Sequence, residues 1–138
     1  MKFSARINND AGQHRVSLKV GEKEQSLPIA PKPTGGSSIT GGELLFLALA
    51  TCFCNDTYRE AAKWNIKVES VEVEVEGDFE AGGKPASNIV YRANINADAS
   101  EERIHELMLH IDSVAEIQNT LRFGTPVKLE YDKHPPKL

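Results

Sequence analysis

The chain has 138 residues, enough for one ordinary domain and too few for two comfortable ones. Its 16 basic and 20 acidic residues give a formal net charge of −4, and no basic run of the kind that binds nucleic acid is present. Hydrophobic residues make up 40% of the chain and charged residues 26%, a composition that excludes a disordered protein. The start has no signal-peptide core, and the longest apolar stretch, residues 44–54, is about half as long as a membrane span. We therefore expect one cytoplasmic domain over residues 1–138, with neither nucleic acid nor a membrane as a partner.

Three strands are predicted in the first 30 residues. Apolar residues alternate with polar ones over residues 3–7 and again over residues 14–20, which is the period of a half-buried strand. Residues 25–29 predict a short third strand, which Pro28 keeps at an edge of the sheet. The next segment, residues 31–42, is rich in proline and glycine and predicts a loop that leads into a helix and can line a site.

A long helix is predicted from Glu43 to about Trp64. The large apolar residues of its first half cover every direction around the helix axis, so we expect that half to be buried on all sides. These residues are Leu44, Leu45, Phe46, Leu47, Leu49, Cys52 and Phe53. The second half is polar and amphipathic. One small sheet cannot enclose such a helix, and the pattern therefore predicts a second subunit against it.

Two further strands follow the helix. The strand predicted over residues 66–79 changes the parity of its apolar residues at Glu69-Ser70, which predicts a β-bulge that keeps both halves facing the core. Turn-forming residues 81–85 separate it from a second alternating strand over residues 89–97.

A second helix and a last strand complete the order. Apolar residues at helical spacing predict a helix up to Ala115, preceded by a capping pattern in which Asp98 stands three residues before Glu101. Residues 121–124 predict a loop. A final strand is predicted by the alternation of Val127, Leu129 and Tyr131, before a polar tail. The order βββ-α-ββ-α-β indicates an α+β domain.

Cys52 is the strongest candidate for chemistry, although free cysteine is also among the most frequently buried residue types and can be simple packing. A reactive thiol needs a cation, a helix N-terminus or a hydrogen-bond donor near its thiolate. Cys52 lies too far along its helix to benefit from that helix's own dipole. Asp56 and Arg59 share its face, so Arg59 can pair with Asp56 and leave donors for a thiolate. The alternative is an ordinary surface ion pair.

Cys54 has no clear partner. In a continuous helix it projects roughly 200° away from Cys52, so a disulfide between the two would require the helix to unwind. Two thiols at this spacing match no zinc pattern together with the four scattered histidines, His14, His105, His110 and His134. We therefore expect neither a metal nor another cofactor.

The segment Gly41-Gly42-Glu43-Leu44-Leu45-Phe46-Leu47-Ala48-Leu49-Ala50-Thr51-Cys52-Phe53 resembles the OsmC/Ohr family of osmotically inducible and organic-hydroperoxide-resistance proteins. The likeness extends from about His14 to Tyr131 and includes the order of the elements. It implies an intertwined homodimer with two buried central helices and active sites at the subunit interface.

The resemblance also implies roles for the cysteines. Cys52 matches the residue that a hydroperoxide oxidises to a sulfenic acid, which a second thiol then condenses with. The family's second cysteine falls on Ala115 here, and no cysteine follows Cys54. Cys54 or an external thiol would therefore have to reduce the sulfenic acid.

The family's arginine and glutamate do not transfer by a clear motif. The glutamate falls on Gly42, one residue before Glu43, so Glu43 becomes the candidate that orients an arginine. Arg15 and Arg59 are the candidates for holding the thiolate, and Arg6 is a further match for the family's arginine.

Two functions from different classes follow, together with a structural alternative. The first is a thiol-dependent peroxidase that reduces organic hydroperoxides through Cys52 in oxidative-stress defence. The second is a non-catalytic protein that binds a small hydrophobic or thiol-bearing ligand at the dimer interface. The third is a structural dimer whose cysteines only pack.

Overall fold

The computed structural model describes residues 1–131, which form two compact units. One unit contains residues 1–41 and 128–131, and the other contains residues 42–127. Strands and helices are both present, which confirms the α+β class. Within the described residues, none of the helices combines the length and the apolar character that crossing a bilayer requires.

The first unit is an antiparallel meander of three strands, as the alternation predicts. The strands β1 (Phe3–Asp10), β2 (Gln13–Val20) and β3 (Lys23–Ser26) lie in the order β1-β2-β3. The Asp10 carboxylate accepts the backbone N–H groups of Gly12 and Gln13 and so stabilises the turn between β1 and β2. β3 ends at Ser26, so Pro28 lies beyond the strand and not within it.

The second unit packs a long helix against a two-stranded sheet and further helices. Its elements are α1 (Gly41–Lys63), β4 (Val68–Asp78), β5 (Ser87–Ala97), α2 (Glu101–Val114) and α3 (Glu116–Arg122). The register between β4 and β5 shifts between Val68 and Ser70, which confirms the predicted bulge. The helix cap predicted at Asp98 is wrong: the Ser100 hydroxyl accepts the backbone N–H of Arg103 and caps α2.

The core of the second unit involves the second half of α1. Its buried members are Phe53, Ala61, Ile66, Ile95, Leu107 and Ile111. The Phe53 ring meets Tyr91 edge-on, with 5.3 Å between the ring centroids. The same side of α1 buries Asp56, Thr57 and Glu60. Buried polar groups are hydrogen-bonded in native proteins, so these three residues are expected to have hydrogen-bond partners nearby.

The single chain does not enclose the first half of α1 on all sides, and cover by a second subunit stays a prediction. Leu47 is 58% exposed, and Leu44, Leu45 and Phe46 are only partly buried, although Leu49 is buried. The end of β4 covers one side of this half, where Phe79 packs on Phe46 with 5.6 Å between the ring centroids. Apolar residues all around a helix predict that the helix is buried, but they do not show whether it packs against its own chain or against a second subunit.

The predicted final strand is also wrong. α3 follows a bend at Ala115, and its last turn contains Leu121 and Arg122, which were expected in a loop. Residues 125–131 carry no strand, because a strand needs a hydrogen-bonding neighbour and none of the strands within residues 1–131 pairs with them. The observed order is βββ-α-ββ-αα. The polar tail, residues 132–138, lies outside the described residues.

Candidate functional site

Two helices meet at the sulfur of Cys52. The thiol is partly buried in the middle of α1 and donates to Oδ2 of Asp56, with 3.8 Å between sulfur and oxygen. The backbone N–H groups of Ile117 and Glu116, at the start of α3, lie close enough to the sulfur to lower the pKa of the thiol. The bend at Ala115, whose side chain is fully buried, turns the chain from α2 into α3 and brings these two amides to the sulfur.

The surroundings of the Cys52 thiol shift its pKa in opposite directions. Burial raises its pKa most strongly, and the charge and hydrogen bond of Asp56 raise it further. The amides of Ile117 and Glu116 lower it, because an N–H donor stabilises a thiolate. The net shift of the pKa is upward, so the neutral thiol is favoured in the described chain.

Asp56 joins the thiol to an arginine. Its Oδ1 accepts Nη2 of Arg59 at 2.8 Å, which confirms the predicted pair, while Oδ2 faces Cys52. Burial raises the pKa of Asp56 despite the opposing charge of Arg59 and the hydrogen bond from Cys52. A buried carboxylate with a raised pKa can take up a proton, so Asp56 is suited to accept the thiol proton.

The remaining predicted site residues lie elsewhere. Cys54 faces the sheet, where it lines a cavity of about 270 Å³ with Ala50, Thr51, Asn55, Val71 and Val73. Cys52 and Cys54 therefore lie on different sides of α1. Glu43 is in the first turn of α1. Arg15 lies on β2 in the first unit, where its guanidinium bonds to the Gln13 side chain.

A second buried carboxylate lies one turn beyond Asp56. Glu60 is 4% exposed and accepts His110 Nε2 at 2.7 Å, Lys63 Nζ at 2.9 Å and Arg59 Nε at 3.2 Å. The bonds from Lys63 and His110 lower the pKa of Glu60 to about 2. The contact with His110 was missed, because spacing within one helix does not reveal contacts between two helices.

Two further polar contacts of this unit were missed. Gln118 is buried, and its Nε2 donates to the backbone oxygen of Leu49 at 3.1 Å. Asp112 accepts the Tyr91 hydroxyl and, at 2.7 Å, Nη2 of Arg122. A shallow cavity of about 230 Å³ adjoins both contacts; Leu49, Ile89, Tyr91, Gln118, Leu121 and Arg122 line it. No local sequence pattern signals these contacts, which link distant parts of the chain.

The histidines do not assemble into a metal site in the described chain. Within residues 1–131, no group of three or more His, Cys, Asp or Glu side chains is placed so that it could hold a metal ion. His14 lies in the first unit, where its Nδ1 is 2.9 Å from the Asn9 amide nitrogen. His134 lies outside the described residues.

Known proteins share this sequence pattern and fold. A family model described as OsmC-like protein matches residues 34–130. The structure resembles an OsmC-like protein from Mycoplasma pneumoniae (TM-score 0.63, 18% identity, covering 86% of this chain and 87% of that chain). It also resembles an organic hydroperoxide resistance protein OsmC from Legionella pneumophila (TM-score 0.59, 17% identity, covering 88% and 90%).

An organic hydroperoxide resistance protein from Elizabethkingia anophelis is similar as well (TM-score 0.60, 19% identity, covering 88% of this chain and 89% of that chain). At these identities the likeness shows the shared fold alone. None of the curated proteins matches the sequence.

Proposed function

Because the chain belongs to the OsmC-like protein family, we propose that it reduces organic hydroperoxides through Cys52 and so takes part in peroxide defence in the cytoplasm. The observation that carries the proposal is the setting of the Cys52 sulfur, which has a carboxylate on one side and two backbone N–H groups on the other. The carboxylate can accept the thiol proton, and the amides can stabilise the thiolate that remains.

The proposed first step oxidises Cys52. Its thiol passes a proton to Asp56, and the thiolate attacks the terminal oxygen of the hydroperoxide. The S–O bond forms as the O–O bond breaks, and the leaving alkoxide takes the proton from Asp56. The products are the Cys52 sulfenic acid and an alcohol. Arg59 holds Asp56 in place through its 2.8 Å bond.

The proposed second step uses an external thiol. The sulfenic acid condenses with that thiol and releases water, which leaves a mixed disulfide on Cys52. A second thiol then displaces Cys52 and restores it. Cys54 faces the sheet and not α3, so an external thiol fits this step better than Cys54 does. Ala115, where the family's second cysteine is expected, supplies no thiol.

We also propose that two copies of the chain form a homodimer around α1. The exposure of Leu47, an apolar residue in the half of α1 that its own chain leaves open, supports this. A dimer would cover that half, as the sequence pattern requires. In the assembled dimer, Glu43 and Arg15 are the candidates for completing the thiolate site, since Arg59, the candidate cation on the same helix as Cys52, already pairs with Asp56.

A second function is supported by the raised pKa of Cys52. A thiol that stays protonated, without a second cysteine beside it, suits a protein that binds a small hydrophobic or thiol-bearing ligand at the dimer interface and does not turn it over. This alternative predicts binding without consumption of peroxide.

Stopped-flow mixing with cumene hydroperoxide, followed by intact-mass measurement, separates the two functions. We expect rapid oxidation of the wild type and of Cys54→Ser, with a sulfenic acid as the first product, and none in Cys52→Ser. Cys54→Ser is the matched control, because its thiol lies on the same helix but faces the sheet. Oxidation no faster than that of a free thiol would refute the peroxidase and favour the binding protein.

A further inference from the structure

Gln118 links the two pieces of chain that meet at Cys52. It is the one buried side chain of α3, and only 3% of it is exposed. Its Nε2 donates to the backbone oxygen of Leu49, three residues before Cys52 in α1. Gln118 also directly follows Ile117, whose N–H contacts the Cys52 sulfur. The bond therefore spans α3 and α1 next to the thiol.

Stability does not explain this bond. The Leu49 oxygen lies inside α1, where it already accepts the backbone N–H four residues further on. The other amide atom of Gln118, Oε1, is buried and has no hydrogen-bond partner within residues 1–131. A buried polar atom without a partner destabilises a fold. An apolar side chain of the same length would fill this position at least as well.

We propose that Gln118 is a positioning residue, whose bond to Leu49 holds the start of α3 against α1 so that the N–H groups of Glu116 and Ile117 point at the Cys52 sulfur. α3 has only seven residues. The bonds from Asn119 and Arg122 tie it to α2, whereas the bond from Gln118 ties it to α1, the helix that carries Cys52. This inference rests on the proposed function in one respect, that the Cys52 thiolate is the reacting species.

The charged groups around Cys52 stay in place when Gln118 is changed. They are Asp56 on α1, Arg59 bonded to Asp56, and the Glu116 carboxylate, which acts on Asp56. Loss of the amide contacts therefore removes the groups that lower the pKa of Cys52, while burial and Asp56 continue to raise it. The thiolate becomes rarer at neutral pH, and the reactivity of Cys52 should fall.

Gln118→Met tests the inference, because methionine has the same length but cannot make the bond. Thr120→Val is the matched control: the Thr120 hydroxyl lies on the same helix but bonds to Glu116 oxygen within α3. The rate of Cys52 alkylation by iodoacetamide is measured against pH in a Cys54→Ser background, with the Tm of each variant. We expect Gln118→Met to keep or raise the Tm, while alkylation at neutral pH slows roughly three- to tenfold and its profile moves to higher pH. Thr120→Val should leave the profile unchanged.

An alkylation profile of Gln118→Met that coincides with that of its parent would overturn the inference. A large fall in Tm or a failure to fold would overturn it too, since the amide would then serve stability. Hydroperoxide consumption is measured on the same proteins. If the profile moves but even the wild type consumes no hydroperoxide, the positioning role stands and the proposed function fails.

Discussion

Replacing Glu60 by glutamine removes a buried negative charge that Lys63, Arg59 and His110 all contact. Lys63 and Arg59 are each more than half exposed, so their bonds to Glu60 contribute less than about 1 kcal/mol apiece. The 2.7 Å bond from His110 joins more deeply buried groups and contributes about 1–2 kcal/mol. The free energy of unfolding of Glu60→Gln should therefore fall by about 2–3 kcal/mol at neutral pH.

The effect of Glu60 on stability should depend on pH with a definite sign. Its bonds from Lys63 and His110 hold its pKa in the folded state at about 2, below its ordinary value of 4.5. A carboxylate with a lowered pKa stabilises the fold fully above its ordinary pKa, and this stabilisation is lost as the pH falls through the folded-state pKa. The difference between the wild type and Glu60→Gln should therefore shrink between pH 4.5 and about 2.

Urea unfolding at equal protein concentrations, at neutral pH and again near the lower end of that range, measures both effects. Glu76→Gln is the control, because Glu76 pairs with Arg92 at 2.9 Å but both side chains are more than half exposed. Its change should stay below about 1 kcal/mol. The reasoning fails if Glu60→Gln destabilises no more than Glu76→Gln, or if the deficit is the same at both pH values.

Two further predictions concern Cys52. Asp56→Asn removes a charge and a hydrogen bond that raise the pKa of the thiol, so alkylation by iodoacetamide should move to lower pH, while oxidation by hydroperoxide slows because the proton acceptor is gone. Parallel changes in the two rates would contradict this role for Asp56. Ala115→Cys places a thiol directly before the residues that contact the Cys52 sulfur, so one equivalent of hydroperoxide should give an intramolecular disulfide, detected by mass and by loss of titratable thiols. A lasting sulfenic acid that dimedone traps in this variant would show that the two positions do not meet.

Sequence periodicity predicts the strands of this fold. The alternation over residues 3–7 and 14–20 identifies β1 and β2, because apolar residues in a strand alternate toward one face. In the single chain that face is partly buried in β2, while every residue of β1 is exposed. The bulge next to Glu69 is predictable for the same reason. Without the extra residue, the valines at 71 and 73 would face away from the core.

Spacing along one helix also predicts part of the site. Asp56 and Arg59 lie three residues apart, and their pairing is confirmed at 2.8 Å. The amides of Glu116 and Ile117 reach the same sulfur from more than 60 residues away, and no pattern in the sequence indicates that approach. α3 is short and follows α2 after a single bend. The sequence pattern predicts a helix only up to Ala115 and a loop over residues 121–124, and it does not reveal α3 as a separate helix.

The polar residues that share a face of α1 with Cys52 explain why the reactivity of this thiol depends on the short helix α3. Cys52, Asp56 and Glu60 stand four residues apart and so share one face. Arg59 bonds to both carboxylates, through Nη2 and through Nε, so its positive charge is largely neutralised before it can act on the thiol. The N-terminus of α1 is too far away to help. Within the second unit, the groups that lower the pKa of Cys52 are therefore the amides at the start of α3, and the reactivity of the thiol depends on where Gln118 holds that helix.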